Sequence, residues 1–196
     1  MPTTDARRAE PELPFGRPRR DLVYFFVFDG FADWEAALAL CEIRRPGDYR
    51  VRTLAHRPRA VRSMAGLAVL PDLVLDEIEP ERTAMLLLPG GAAWEHAETG
   101  AIETAVRRLH AAGAVIAAIS GGALPLARAG LLAARRHVGD HAGLADVHAP
   151  CCTGSLRHDA DALAVADDRV ITAVSVGGVE FAREVIRALG LYDARD

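Results

Sequence analysis

The hydrophobic pattern changes character at residue 21. Ahead of it, the segment 1–20 carries Pro2, Pro11, Pro14 and Pro18 with five arginines and no apolar run. Such a segment has nothing to bury and is expected to be a disordered arm. From Leu22 to Phe28 every residue is apolar or aromatic (LVYFFVF), the pattern of a strand buried on both faces. It stops at Asp29-Gly30. ADWEAALALCEIRR then places Trp34, Ala37, Leu38 and Cys41 at helical spacing, with Pro46-Gly47 as the stop. YRVRTLAH at 49–56 alternates as a second strand, and short runs around Val61 and Leu67 to Leu70, joined through Ala65-Gly66, predict a small hairpin.

The alternation continues through the rest of the chain. AMLLLPGG at 84–91 is a buried strand running into a glycine turn, and AIETAVRRLHAAG at 101–113 has an amphipathic helical period ended by Gly113. AVIAAIS at 114–120 predicts the next strand, and GGALPLARAG a helix that starts abruptly after Ser120. Pro125 is tolerable there only near the helix start, where amides lack internal acceptors. RVITAVS at 169–175 and GVEFAREVIRALG at 178–190 close the series. Strands alternating with helices imply a parallel sheet covered on both sides, and 196 residues supply one full core rather than two.

Composition narrows the chemistry. There is no Lys, Asn or Gln. A Schiff-base lysine, a P-loop lysine and a side-chain amide oxyanion donor are therefore excluded, and an oxyanion site must be built mainly from backbone amides. A net charge of -4 offers no positive field to a nucleic acid, and no segment has the apolar length of a membrane span. Small molecules are the expected partners. The arm contains Asp5, Glu10 and Glu12 and no apolar stretch, so it fits neither a signal peptide nor a transit peptide. Three cysteines, two of them adjacent at Cys151 and Cys152, make no disulfide framework. A cytoplasmic location follows as the expectation.

In open parallel sheets ligands sit beyond the carboxyl ends of the strands. The turns to inspect are therefore Asp29 to Glu35, Pro89 to Ala92 and Ser120 to Gly122. AAISGGALPLARAG puts a serine at a strand-to-helix turn followed by two glycines, which let the backbone bend sharply and aim its amides at whatever the serine holds. PGG at 89–91 is a second glycine turn at the end of another strand. Glu35 is expected just inside the first helix, where an acid also suits the helix N-terminus. Trp34 and Trp94 read as packing residues.

Taken in order, VFDGFADWEAAL, LLLPGGAAWE, AAISGGALPLARAGLL and VITAVSVGGVEFAREVIRALGLY resemble the ThiJ/PfpI proteins of the class I glutamine amidotransferase-like superfamily, over about residues 21–192. The resemblance implies a flavodoxin-like three-layer sandwich with a mostly parallel central sheet, occupying 21–196 after the arm. It also implies a homodimer. In that family the strand-to-helix turn carries a nucleophilic cysteine, with a glutamate from the first helix beside it and often a histidine nearby. By position Ser120 corresponds to the cysteine, Glu35 to the glutamate and His141 to the histidine, and Gly91 and Gly121 supply the oxyanion amides.

Serine in place of cysteine changes the chemistry. A thiol of pKa about 8.5 becomes a thiolate at a helix N-terminus without a dedicated base, whereas a hydroxyl must lose its proton to a positioned base during attack. Glu35 or His141 is expected to be that base. Cysteine oxidation chemistry is absent at this position. Gly121 stands where protease-like members carry a histidine, which disfavours a peptidase. The leading expectation is a hydrolase or lyase acting through Ser120 on a small carbonyl, amide or ester compound. The alternatives are a non-catalytic small-molecule-binding or stress-associated protein that has lost the cysteine, or an engineered Cys-to-Ser replacement.

His137, His141, His148, Cys151, Cys152 and His158 crowd one stretch. Gly139 and Gly143 argue against the helix that would align an HxxxH pair, and no CxxC accompanies it. No metal and no cofactor are expected.

Overall fold

The computed structural model describes residues 20–96, 99–140, 159 and 161–192. The arm expected over 1–20 lies, Arg20 excepted, outside the described residues. The elements in chain order are β1 (Leu22–Phe26), α1 (Ala37–Arg44), β2 (Arg50–Ala55), β3 (Val61–Arg62), β4 (Ala68–Val69), β5 (Leu73–Val74), β6 (Thr83–Leu88), α2 (Ala93–His96), α3 (Gly100–Ala111), β7 (Val115–Ile119), α4 (Ala123–Arg128), β8 (Ala164–Asp167), β9 (Val170–Ala173) and α5 (Gly178–Leu189).

The strands form a seven-stranded sheet in the order β5-β2-β1-β6-β7-β9-β8, with β3 and β4 as a separate antiparallel pair. Every neighbouring pair in the large sheet is parallel except β8–β9. Because β1 is buried on both faces, its side chains alternate between two cores. Leu22, Tyr24 and Phe26 join Ile102, Val106 and Leu109 of α3 and Leu124 and Leu126 of α4 on one face. Val23 and Phe25 join Ala39 and Ile43 of α1 and Phe181, Val185 and Leu189 of α5 on the other. This is the flavodoxin-like three-layer architecture. From β1 the chain steps outward to β2 and β5, then returns to β6 on the other side of β1, so the strand order reverses between β1 and β6.

Several expectations need correction. The first helix begins at Ala37 rather than at the start of ADWE, and Glu35 lies in the turn ahead of it. Its buried stripe is Ala36, Ala39 and Ile43, whereas Trp34, Leu38 and Cys41 are exposed. Small and large apolar residues alternate so densely here that two helical phases fit, and alanines face the sheet because α1 packs closely against α5 and β2. Trp34 is therefore not a packing residue, while Trp94 is. The strands β5 and β8 were not legible: the first is two residues long, and the second pairs antiparallel at the sheet edge through a tight turn at Asp168 and Arg169, both at positive φ. Pro125 is the third residue of α4, where its missing N–H costs no internal bond.

Candidate functional site

The carboxyl ends of β1, β6 and β7 converge at the reversal point, and each delivers one turn. After β7 the chain enters a 3-10 turn at Ser120–Gly122. Ser120 has φ 54, a left-handed conformation that a residue with a Cβ adopts at a cost of about 1 kcal/mol. Gly122 explains how the turn can be so tight. A Cβ there would collide with the Leu88 and Pro89 carbonyls of β6 and its following turn.

The turns after β1 and β6 are tied together. Ala32 N–H donates to the Gly90 carbonyl at 3.0 Å, and Gly90 N–H donates to Glu35 Oε2 at 2.6 Å. A Cβ placed on Gly90 would stand 2.8 and 2.9 Å from the two Glu35 carboxylate oxygens and 2.9 Å from Ser120 Cβ. Glycine is required here because the carboxylate and the serine occupy the space a side chain would need. Glu35 thus accepts from the loop after β6 and does not cap its own helix, as the sequence reading allowed.

Glu35 is 3% exposed, and its pKa is pushed up to about 7. Burial away from water is the main cause, opposed by the Gly90 N–H bond; the charge of Asp140 adds to the rise, and a hydrogen bond with Ser120 opposes it. A carboxyl in this state is close to half protonated at neutral pH.

Asp140 is the residue that sequence reasoning missed. Ser120 Oγ donates to Asp140 Oδ2 at 2.8 Å, and Ser175 N–H donates to Asp140 Oδ1 at 2.6 Å. The segment before it is fixed from β9, where Thr172 Oγ1 accepts from Val138 N–H at 2.9 Å. Ser120 therefore has carboxylates on two sides, Glu35 from the β1 turn and Asp140 from the segment after α4. The available signal was adjacency, since Asp140 precedes His141, the residue expected to assist the serine. His141 itself lies outside the described residues.

The two expected oxyanion glycines lie side by side. A Cβ on Gly121 would be 3.7 Å from Gly91 N and 3.5 Å from Gly91 O. Gly91 has φ 151, and a Cβ there would meet the Gly30 carbonyl and the Phe28 ring, both at 2.7 Å. Its amide has no acceptor among the described residues. Gly121 is the second residue of the 3-10 turn, where an amide has no internal acceptor. Trp94 roofs the pair, with Nε1 donating to Pro89 O at 2.8 Å and its ring T-shaped against Phe28 at 4.7 Å.

Of the histidine and cysteine cluster only His137 is described; it is buried, with Nδ1 3.0 Å from Arg135 O. His141, His148, Cys151, Cys152 and His158 lie outside the described residues. Among the described residues no group of three or more His, Cys, Asp or Glu is placed to hold a metal ion. No described helix is long and apolar enough to cross a membrane.

A doubly wound sheet with a left-handed serine at a strand-to-helix turn, set at the point where strand order reverses, defines an α/β protein of the nucleophile-elbow type in its geometry. Residues 21–188 match the DJ-1/PfpI family model, and the chain belongs to the DJ-1/PfpI family. It is similar to a Bacillus subtilis (strain 168) protein named uncharacterized protease YoaZ, 29% identical over 178 residues, which cover 87% of this chain and 84% of that protein. A solved DJ-1 superfamily protein from Agrobacterium tumefaciens superposes with a TM-score of 0.81 at 30% identity, covering 89% of this chain and 93% of that one. A thiJ/pfpI family protein from Bacillus anthracis does so with a TM-score of 0.83 at 26% identity, covering 92% and 87%.

Proposed function

We propose that this protein hydrolyses a small ester or amide through Ser120. The observation that carries the reading is the Ser120 hydroxyl donating to Asp140 Oδ2 at 2.8 Å while held at φ 54 beside Glu35. A serine nucleophile needs a base in hydrogen-bond contact, and Asp140 is an acceptor already in place. In the first step Ser120 Oγ bonds to the substrate carbonyl carbon as its proton passes to Asp140. The carbonyl oxygen becomes the oxyanion and takes hydrogen bonds from the Gly91 and Gly121 amides. The bond to the leaving alcohol or amine then breaks, the departing atom taking a proton from Glu35, whose raised pKa suits a general acid near neutral pH. Water then attacks the acyl carbon as its proton passes to Glu35, and the bond from that carbon to Ser120 Oγ breaks as Oγ recovers its proton from Asp140, releasing the acid. The YoaZ relative is named as an uncharacterized protease, which accords with hydrolysis as the reaction type.

The test is turnover of p-nitrophenyl acetate together with intact-mass measurement of the quenched reaction. The expected result is an acetyl adduct on Ser120 that Ser120→Ala lacks. Absence of both adduct and turnover from this ester and from a matching anilide would leave the chain as a small-molecule-binding protein. The same reading includes self-association. Trp34, Leu38, Met64 and Leu67 leave apolar surface near the Glu35 turn, and sedimentation at micromolar concentration is expected to return a dimer rather than a 21.0 kDa particle.

A further inference from the structure

A second feature lies at the same end of the sheet, beyond β1 and β2. A cleft of about 520 Å³ opens there, lined among others by Phe28, Asp29, His56, Arg57, Arg59 and Ala101. That volume suits a small molecule. Its charges do not cancel. Arg59 is taken up by Asp29, to which it donates at 2.8 Å, and Asp29 also accepts from Arg62 N–H at 2.9 Å. The Arg57 guanidinium has no acceptor or acidic partner among the described residues. Partial burial, with a smaller contribution from the Arg57 charge, holds His56 below the usual imidazole pKa. The His56 ring is set edge-on to Phe26 at 5.0 Å. The opposite wall is Ala101, in the first turn of α3, the end at which the helix dipole is positive.

Phe28 connects this cleft to the serine site. Its ring lines the cleft and also lies against Gly91, where an added Cβ would meet Cε2 at 2.7 Å. Phe28 is thus shared between the wall of the cleft and the surroundings of Gly91.

We propose that this cleft is an anion subsite, and that the compound handled at Ser120 carries a carboxylate which Arg57 pairs with while Phe28 supports its carbon chain. The substrate class is then a small ester or amide with a carboxylate on its acyl side. The assignment of the reacting end rests on the hydrolase reading; the anion site does not. Arg57 is exposed and its side chain makes no hydrogen bond among the described residues, so replacing it leaves the fold intact, and Arg57→Glu serves as a second variant of reversed charge.

The probe is glutarate, titrated by calorimetry into the full chain and into Ser120→Ala, with neutral glutaramide as the control. The expected result is that glutarate binds both proteins equally and glutaramide neither. Affinity should fall about tenfold or more in Arg57→Ala, partly recover in Arg57→Lys and vanish in Arg57→Glu, as for a charge-assisted pair. Equal glutarate affinity in wild type and Arg57→Ala, or no binding to wild type, overturns the proposal. Failure of the hydrolase reading is separable, because it shows as absent turnover and absent acyl-serine while the Arg57-dependent binding persists. With an active enzyme, a monoester of glutarate should have a lower KM than the corresponding butyrate ester, and Arg57→Ala should erase that difference.

Discussion

The two ends of the sheet treat acidic side chains in opposite ways. At the amino end Asp21 accepts from Arg50 Nε at 2.9 Å and Nη2 at 2.6 Å and from Arg82 Nη2 at 3.0 Å. Arg20 beside it donates to the Thr83 and Pro80 carbonyls at 2.7 and 3.2 Å and to the Ala112 carbonyl. Charge there is matched by charge and strand ends are stitched. At the carboxyl end Glu35 and Asp140 flank one serine, and among the described residues no guanidinium reaches either of them. The amino end is arranged for stability. The carboxyl end leaves carboxylates without a cationic partner next to a strained hydroxyl, an arrangement that suits proton transfer.

That contrast breaks most visibly at Ser120. Ser120→Ala is expected to lower kcat/KM on p-nitrophenyl acetate by about a thousandfold with the fold unchanged; a stopped assay against the same preparation's circular dichroism measures both. A variant that keeps wild-type turnover ends the site assignment.

Next in size is the pH response of Glu35. Its pKa rises from 4.5 in the unfolded chain to about 7 in the fold, so between these values the native state holds a proton that the unfolded state has lost. Stability from this group is complete below pH 4.5 and is lost as pH rises through 7, by a total of about 3 kcal/mol. Urea unfolding across that range should show the decline in wild type and a flatter profile in Glu35→Gln. Identical profiles would mean the carboxyl is not held in its neutral form.

Asp140→Asn comes third. It keeps the shape and removes the charge, and is expected to reduce kcat about a hundredfold with KM little changed. If turnover is retained, the proton goes elsewhere. The smallest effect belongs to the amino end: Asp21→Asn should leave turnover untouched and cost about 1 kcal/mol in urea unfolding, since its partners are half-exposed arginines. A change in kcat there would erase the distinction between the two ends.

Much of this was legible before the fold was known. The runs at 22–28, 84–91 and 114–120 are so apolar that only central strands accommodate them, and the PGG and SGG turns mark where backbones must approach closely. Glu35 and Ser120 could be paired through the family resemblance, and they meet. The phase of α1 could not be read, because Trp34, Ala37, Leu38 and Cys41 form as good an apolar stripe as Ala36, Ala39 and Ile43. Burial depends on which neighbour a helix meets.

Local sequence determined the strand and helix alternation, the doubly covered sheet, the glycines of the site turns and the serine at the end of β7, because each follows from short-range sterics and from periodicity within a single element. Only the tertiary structure decided that Asp140 and not a residue of β7's own turn would take the serine's hydrogen bond. That contact spans twenty residues and depends on β9 holding Val138 and Asp140 through Thr172 and the Ser175 amide. The raised pKa of Glu35 was decided in the same way. A carboxylate is shifted by what surrounds it, and the Gly90 loop, Asp140 and the walls that exclude water come from three separate stretches of chain that only folding brings together.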